Sequence, residues 1–186
     1  MNFFNRLRFA EGQGLPAADQ KMILVNLYFL IKSTLRKKRR GNLVGKEKRC
    51  FGLSYKNTFI TVSDDSNVKT ALVPVPRNGK PTMASIEYEL IKNNPYKYTQ
   101  EDVQFISYLI RNKIDTSGQL DELREQFFAK PKACFRASPL VKKYGWGIHY
   151  DHDGKVALYE IESALYRQFL QSDDVKKLKG MRSKRA

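Results

Sequence analysis

The turn Asp151-His152-Asp153-Gly154, set between two short stretches of alternating apolar residues, narrows most what this chain can fold into. Asp suits the first position of a type I turn, and Gly supplies the left-handed residue that closes a three-residue hairpin loop through a bulge. That loop length dictates a register. Asp151 faces Lys155, Tyr150 faces Val156, His149 faces Ala157, Ile148 faces Leu158 and Gly147 faces Tyr159. Side chains alternate along a strand, so Trp146, Ile148, Tyr150, Val156 and Leu158 share one apolar face, while Gly147, His149, Asp151, Lys155 and Tyr159 share the other. A two-residue loop would mix polar and apolar side chains on both faces. Gly145 and Gly147 leave backbone bare beside His149, open to a ligand or to a covering ring, for which Tyr159 is the expected candidate.

Around this hairpin the rest of the chain sorts into strands and helices. Thr58–Val62 alternates β-branched and aromatic residues and reads as a strand ending at a turn-rich cluster, Ser63–Asn67. Val73–Pro81 contains three prolines and reads as an exposed loop with an Asn78-Gly79-Lys80 tip that offers an unspecific anion contact. Thr82 caps a helix with Met83, Ile86, Leu90 and Ile91 on one side and Asn93-Asn94-Pro95 as its stop. Residues 103–110, rich in β-branched and aromatic side chains, are expected to form a strand buried on most of both faces, although Thr99 and Asp102 have the spacing to open a helix. Thr116 and Gln119 match a capping box for a helix with Leu120, Leu123, Phe127 and Phe128 inward. A short strand at Cys134–Arg136, a helix from Ser163 to Leu170 with Leu165, Phe169 and Leu170 inward, and a basic tail helix capped by Ser172 complete the prediction. Short connections and an antiparallel hairpin imply an α+β fold: a single domain over residues 53–186, with a mainly antiparallel sheet and packed helices.

Residues 1–52 read differently. The formal charge of +15 is uneven, because the first 50 residues hold 12 Lys/Arg against 3 acidic residues and the remainder 22 against 16. Met22–Ile31 is an apolar run followed by the basic block Arg36–Arg40, and it falls short of the roughly 20 residues of a membrane span. Its charges follow the apolar run instead of preceding it, the reverse of a secretory signal. Residues 1–52 are therefore expected to be a basic extension, disordered or translated from upstream of a natural start near Leu53; the purine-rich codons implied by Lys46–Arg49 would resemble a ribosome-binding site. Cys50 and Cys134 form no CxxC pair, which fits a reduced, cytoplasmic setting.

Several segments resemble those of a small family of bacterial proteins known only as a domain of unknown function: Asn57–Ile60, Tyr88–Leu90, Asn94-Pro95-Tyr96-Lys97-Tyr98-Thr99-Gln100-Glu101-Asp102-Val103, Arg136-Ala137-Ser138-Pro139-Leu140, Lys143–His149, Val156–Tyr159 and Lys179–Ser183. The resemblance runs from Tyr55 to Ala186. It implies a stand-alone domain and carries no activity, cofactor or catalytic residue with it.

The chemistry must then come from side chains. His149, Asp151, His152 and Cys134 are the available metal ligands, but His152 sits in the turn and the set lacks a recognised spacing, so no metal and no cofactor is expected. Ser138 or Cys134 with His149 and Asp151 makes a triad-like set without a nucleophile elbow. Phosphate-binding glycine loops, dinucleotide fingerprints and paired carboxylates are lacking. Cations near aromatic rings are better represented: Arg136, Lys142, Lys143 and Arg182 with Tyr96, Tyr98, Tyr144 and Trp146. The preferred site is a surface of Arg136, Ser138, Lys142, Lys143, His149 and Tyr159 that recognises a phosphate-bearing small molecule or nucleic acid. The alternative is an enzyme centred on Arg136, Ser138 and His149. A structural reading competes with both, in which Arg136 pairs with an acid of the Asp121–Glu125 helix and Trp146 belongs to the core.

Overall fold

The hairpin forms with the expected pairing in the computed structural model, which describes residues 55–114 and 120–183. Strands β2 (Trp146–Tyr150) and β3 (Val156–Glu160) are antiparallel, with Tyr150 opposite Val156 and Gly147 opposite Tyr159. Gly154 takes φ +78°, and one carboxylate oxygen of Asp151 accepts the backbone N–H groups of Asp153 (2.9 Å) and Lys155 (2.8 Å). The Asp and the Gly are both needed: one satisfies the turn's donors, and the other adopts a backbone that L side chains resist.

β1 (Thr58–Thr61) joins β2 in antiparallel pairing, and β4 (Lys176–Lys179) joins β1 in parallel, giving the order β3-β2-β1-β4. Five α-helices are present among the described residues: α1 (Met83–Lys92), α2 (Gln100–Arg111), α3 (Leu120–Phe128), α4 (Pro139–Lys143) and α5 (Ala164–Gln171). The fold is α+β with a mostly antiparallel sheet, and no described helix is long and apolar enough to cross a membrane.

One sheet face carries Ile60, Trp146, Ile148, Tyr150, Val156 and Leu158, all buried, under α1 and α4, with α2 beside α1. Trp146 is a core residue, its ring against Tyr88 and its Nε1 donating to the Leu72 carbonyl (2.8 Å). The other face carries Phe59, buried with Val62 and Tyr166 and flanked by Tyr159, Ile161, Phe169 and Val175. Here α5 covers the sheet.

Several expectations need correction. Residues 103–110 lie in α2, not in a strand. The Thr99 hydroxyl accepts the Asp102 N–H (3.2 Å) and the Asp102 carboxylate accepts the Thr99 N–H (3.1 Å), a capping box that decides the matter locally. Burial of Gln100, Val103, Phe105, Ile106, Ser107 and Leu109 explains the dense apolar content that imitates a strand. Cys134–Arg136 is not a strand, because Phe135–Ala137 forms a 3-10 turn with the Phe135 N–H bound to the Gln100 side chain (3.1 Å). The tail forms β4 and not a helix; Ser172 is the C-cap of α5. In α5 the inward residues are Tyr166 and Phe169, whereas Leu165 and Leu170 are exposed. Gly147 is covered by the rings of Phe59 and Tyr166, not by Tyr159: an added Cβ would stand 2.6 Å from each. The expectations for residues 1–52 and for the Thr116/Gln119 cap lie outside the described residues.

Candidate functional site

The sheet divides the residues selected from the sequence. Ser138 lies on the α1 side. Its hydroxyl accepts the Leu140 N–H (3.2 Å), capping α4, and donates to Oε2 of Glu87 (2.9 Å). Arg136 reaches β4, where its Nε donates to the Lys179 carbonyl (2.8 Å) and its own carbonyl accepts the Met181 N–H (2.8 Å). Arg136 thus fastens the tail, and it is Arg124 of α3 that forms the ion pair, with Asp102 at 2.9 Å. Lys142 and Lys143 occupy the last turn of α4, half-buried and exposed respectively. His149 and Tyr159 project from the opposite face of the sheet, away from Ser138. Among the described residues no group of three His, Cys, Asp or Glu side chains could hold a metal ion.

On that opposite face His149 belongs to a ring cluster. The Tyr96 hydroxyl sits between Nδ1 of His149 (2.9 Å) and the Tyr159 hydroxyl (2.7 Å), and Phe169 of α5 stacks on the imidazole with centroids 4.3 Å apart. Burial lowers the His149 pKa, partly offset by Asp151, and raises the Tyr96 phenol far above its ordinary value, with the Tyr159 hydrogen bond adding to it. In the neutral tautomer that carries its proton on Nε2, Nδ1 accepts and the bonds run Tyr159 to Tyr96 to His149. Tyr96 pays for its place with φ +56°, while its N–H donates to the Val156 carbonyl (2.9 Å). This cluster joins three elements and is filled by its own rings.

A concave site occurs elsewhere, between α1, α2 and the α3 region. This open groove of about 520 Å³ is lined by Glu87, Gln104, Tyr108, Arg111, Phe127 and Lys132 among others. Helical spacing assembles it: Met83 and Glu87 are one turn apart on α1, and Gln104, Tyr108 and Arg111 follow one another along one face of α2. Tyr108 packs on Phe127 (4.7 Å), Lys132 stands 4.0 Å over the Phe127 ring, and Gln104 ties the wall to the Ala133 carbonyl (2.7 Å). Glu87 is buried at 7% exposure, and burial pushes its carboxyl up to about 7 against the opposing pull of the Ser138 hydroxyl. A buried acid that titrates near neutrality, set in a groove with two cations, is the strongest concentration of chemistry among the described residues.

A family model described as a family of unknown function, DUF6157, matches residues 51–186. The chain belongs to DUF6157. The match agrees with the resemblance read from the motifs and spans both the groove and the ring cluster. No curated protein and no solved structure matches the chain.

Sequence reasoning reached Ser138 in this DUF6157 domain but missed its partner Glu87. The available signal was an acid on an apolar stripe, since Glu87 follows Met83 by one turn and precedes Leu90 and Ile91 by another. The α2 wall was hidden by the strand assignment, which would have split Gln104 and Tyr108 from Arg111.

Proposed function

We propose that this DUF6157 domain is a binding module for a small phosphate-bearing ligand, held in the groove between α1, α2 and α3. The supporting observation is Glu87, a buried carboxyl lining a concave site together with Arg111 and Lys132. The groove is open to solvent, with a volume of about 520 Å³ over its lining residues. Concavity favours a small molecule over a nucleic-acid strand, which takes an extended cationic track. Arg111 grips phosphate oxygens with a planar fork, and Lys132 adds a point charge. Of the residues first selected from the sequence, Ser138 takes part through Glu87; Arg136, Lys142, Lys143, His149 and Tyr159 lie outside this groove.

Calorimetric titration of the full chain with pyrophosphate, ribose 5-phosphate, mononucleotides and single-stranded oligonucleotides tests the proposal. Phosphorylated small molecules are expected to bind, and the Arg111→Ala/Lys132→Ala variant to bind them at least tenfold more weakly. Equal affinity in the folded variant, or binding of oligonucleotides alone, overturns it. Glu87 near neutrality also suits acid–base catalysis. Turnover of a bound ligand that disappears in Glu87→Gln while binding persists would establish that second reading.

A further inference from the structure

The environment of Glu87 says which group the ligand presents at its other end. Ser138 has one hydroxyl proton and directs it to Oε2 of Glu87, since the Ser138 oxygen already accepts the Leu140 N–H. Oε1 makes no hydrogen bond among the described residues, and Glu87 lines the groove. Once ionised, this carboxylate is acceptor-only, with Oε1 and a remaining lone pair of Oε2 side by side. A group that displaces groove water must satisfy those lone pairs, because a buried carboxylate left without donors is strongly disfavoured. The complement is a pair of parallel N–H donors on a flat edge. The cations serve the phosphate, and the rings of Tyr108 and Phe127 supply an apolar wall for a planar body.

We infer that the ligand is a nucleotide whose base offers two adjacent N–H donors, a guanine-type edge, to the Glu87 carboxylate. This inference rests on the groove being the phosphate-ligand site. An adenine-type edge, a donor beside an acceptor, instead needs Glu87 protonated. The two edges make opposite demands on the acid. A donor–donor edge takes up the ionised form and expels the proton that Glu87 holds part of the time near neutral pH, whereas a donor–acceptor edge retains it.

GMP, IMP, AMP and ribose 5-phosphate are titrated into the full chain by calorimetry at pH 7, in buffers of different ionisation enthalpy. GMP and IMP differ by the 2-amino donor. GMP is expected to bind about tenfold more tightly than IMP, for the loss of one hydrogen bond to a charged acceptor, with proton release on binding. Glu87→Gln should weaken GMP by at least tenfold, because the amide turns one acceptor into a donor, while leaving ribose 5-phosphate unchanged. Equal binding of all four ligands, or AMP preferred with proton uptake and retained by Glu87→Gln, overturns the base assignment and leaves the phosphate site standing. No binding by any of them removes the groove reading and this inference together. The GMP/IMP comparison uses the unsubstituted protein, so it decides even if Glu87→Gln fails to fold.

Discussion

The two faces of the sheet are built from different chemistry. Under α1 and α4 the face is largely aliphatic, with Ile60, Ile148, Val156 and Leu158 around the buried Trp146 and Tyr150. Under α5 it is aromatic and tied by polar atoms: Phe59, Tyr166 and Phe169 pack together, the Tyr166 hydroxyl accepts the Val62 N–H (2.8 Å), and Tyr96 bridges His149 to Tyr159. Non-directional burial holds the first face, whereas ring geometry and hydrogen bonds hold the second. Each face also harbours perturbed groups, among them one acid and one base. Glu87 beside the first is raised by burial and His149 on the second is lowered by it, so they respond to pH with opposite sign.

Removing aliphatic volume tests the first face most severely. Leu158→Ala is expected to cost about 2–5 kcal/mol in urea unfolding, and a cost below about 1 kcal/mol would mean that the face is not the packed one. Next in size is the pH response of Glu87. Its folded-state pKa of about 7 stands above the ordinary carboxyl value of 4.5, so the folded protein binds more protons between them. Stability from this group is fully present below pH 4.5 and is lost as pH rises through about 7, by an amount on the order of 3 kcal/mol. Glu87→Gln should flatten that part of the pH–stability profile, and an unchanged slope would place the titration elsewhere. The smallest effect belongs to the second face. His149 has a depressed folded pKa, so its contribution is present above the unfolded value of about 6.5 and is lost as pH falls below it toward the folded value. His149→Gln should cost about 1 kcal/mol at pH 8 through the lost Tyr96 bond, and the acid-side loss should diminish. A variant with the parent's acid limb would deny His149 that role.

The same contrast explains what was legible beforehand. Asp151 and Gly154 act within a four-residue turn, so their types alone set the hairpin register and the whole aliphatic face with it. Thr82 and Ser163 likewise announce their helices through side chains that reach the next few backbone donors. α2 was hidden because residues 103–110 crowd β-branched and aromatic side chains together, a composition that imitates a buried strand although the helix they form is amphipathic. The sequence of β4, Lys-Lys-Leu-Lys, has little strand propensity; it is extended because β1 supplies its hydrogen bonds. Tyr96 and His149 lie far apart in the chain, and only the loop following α1, wrapped over the edge of β3, brings them together. Glu87 could be seen as an acid on a helix, but its burial and its Ser138 partner depend on where α4 settles.

The parallel pairing of β4 with β1 also has a cost in time. Lys176 donates its N–H to the Asn57 carbonyl and Gly180 to that of Thr61, so the first described strand to leave the ribosome takes one neighbour from the last. With Thr58 opposite Lys176 and synthesis at about 5–20 residues per second, that edge of β1 waits on the order of ten seconds for its partner. Until then that edge of β1 lacks its partner strand. Throughout that interval the chain offers a template for pairing with other chains, and the arrival of a lysine-rich strand closes it with charges that discourage further addition.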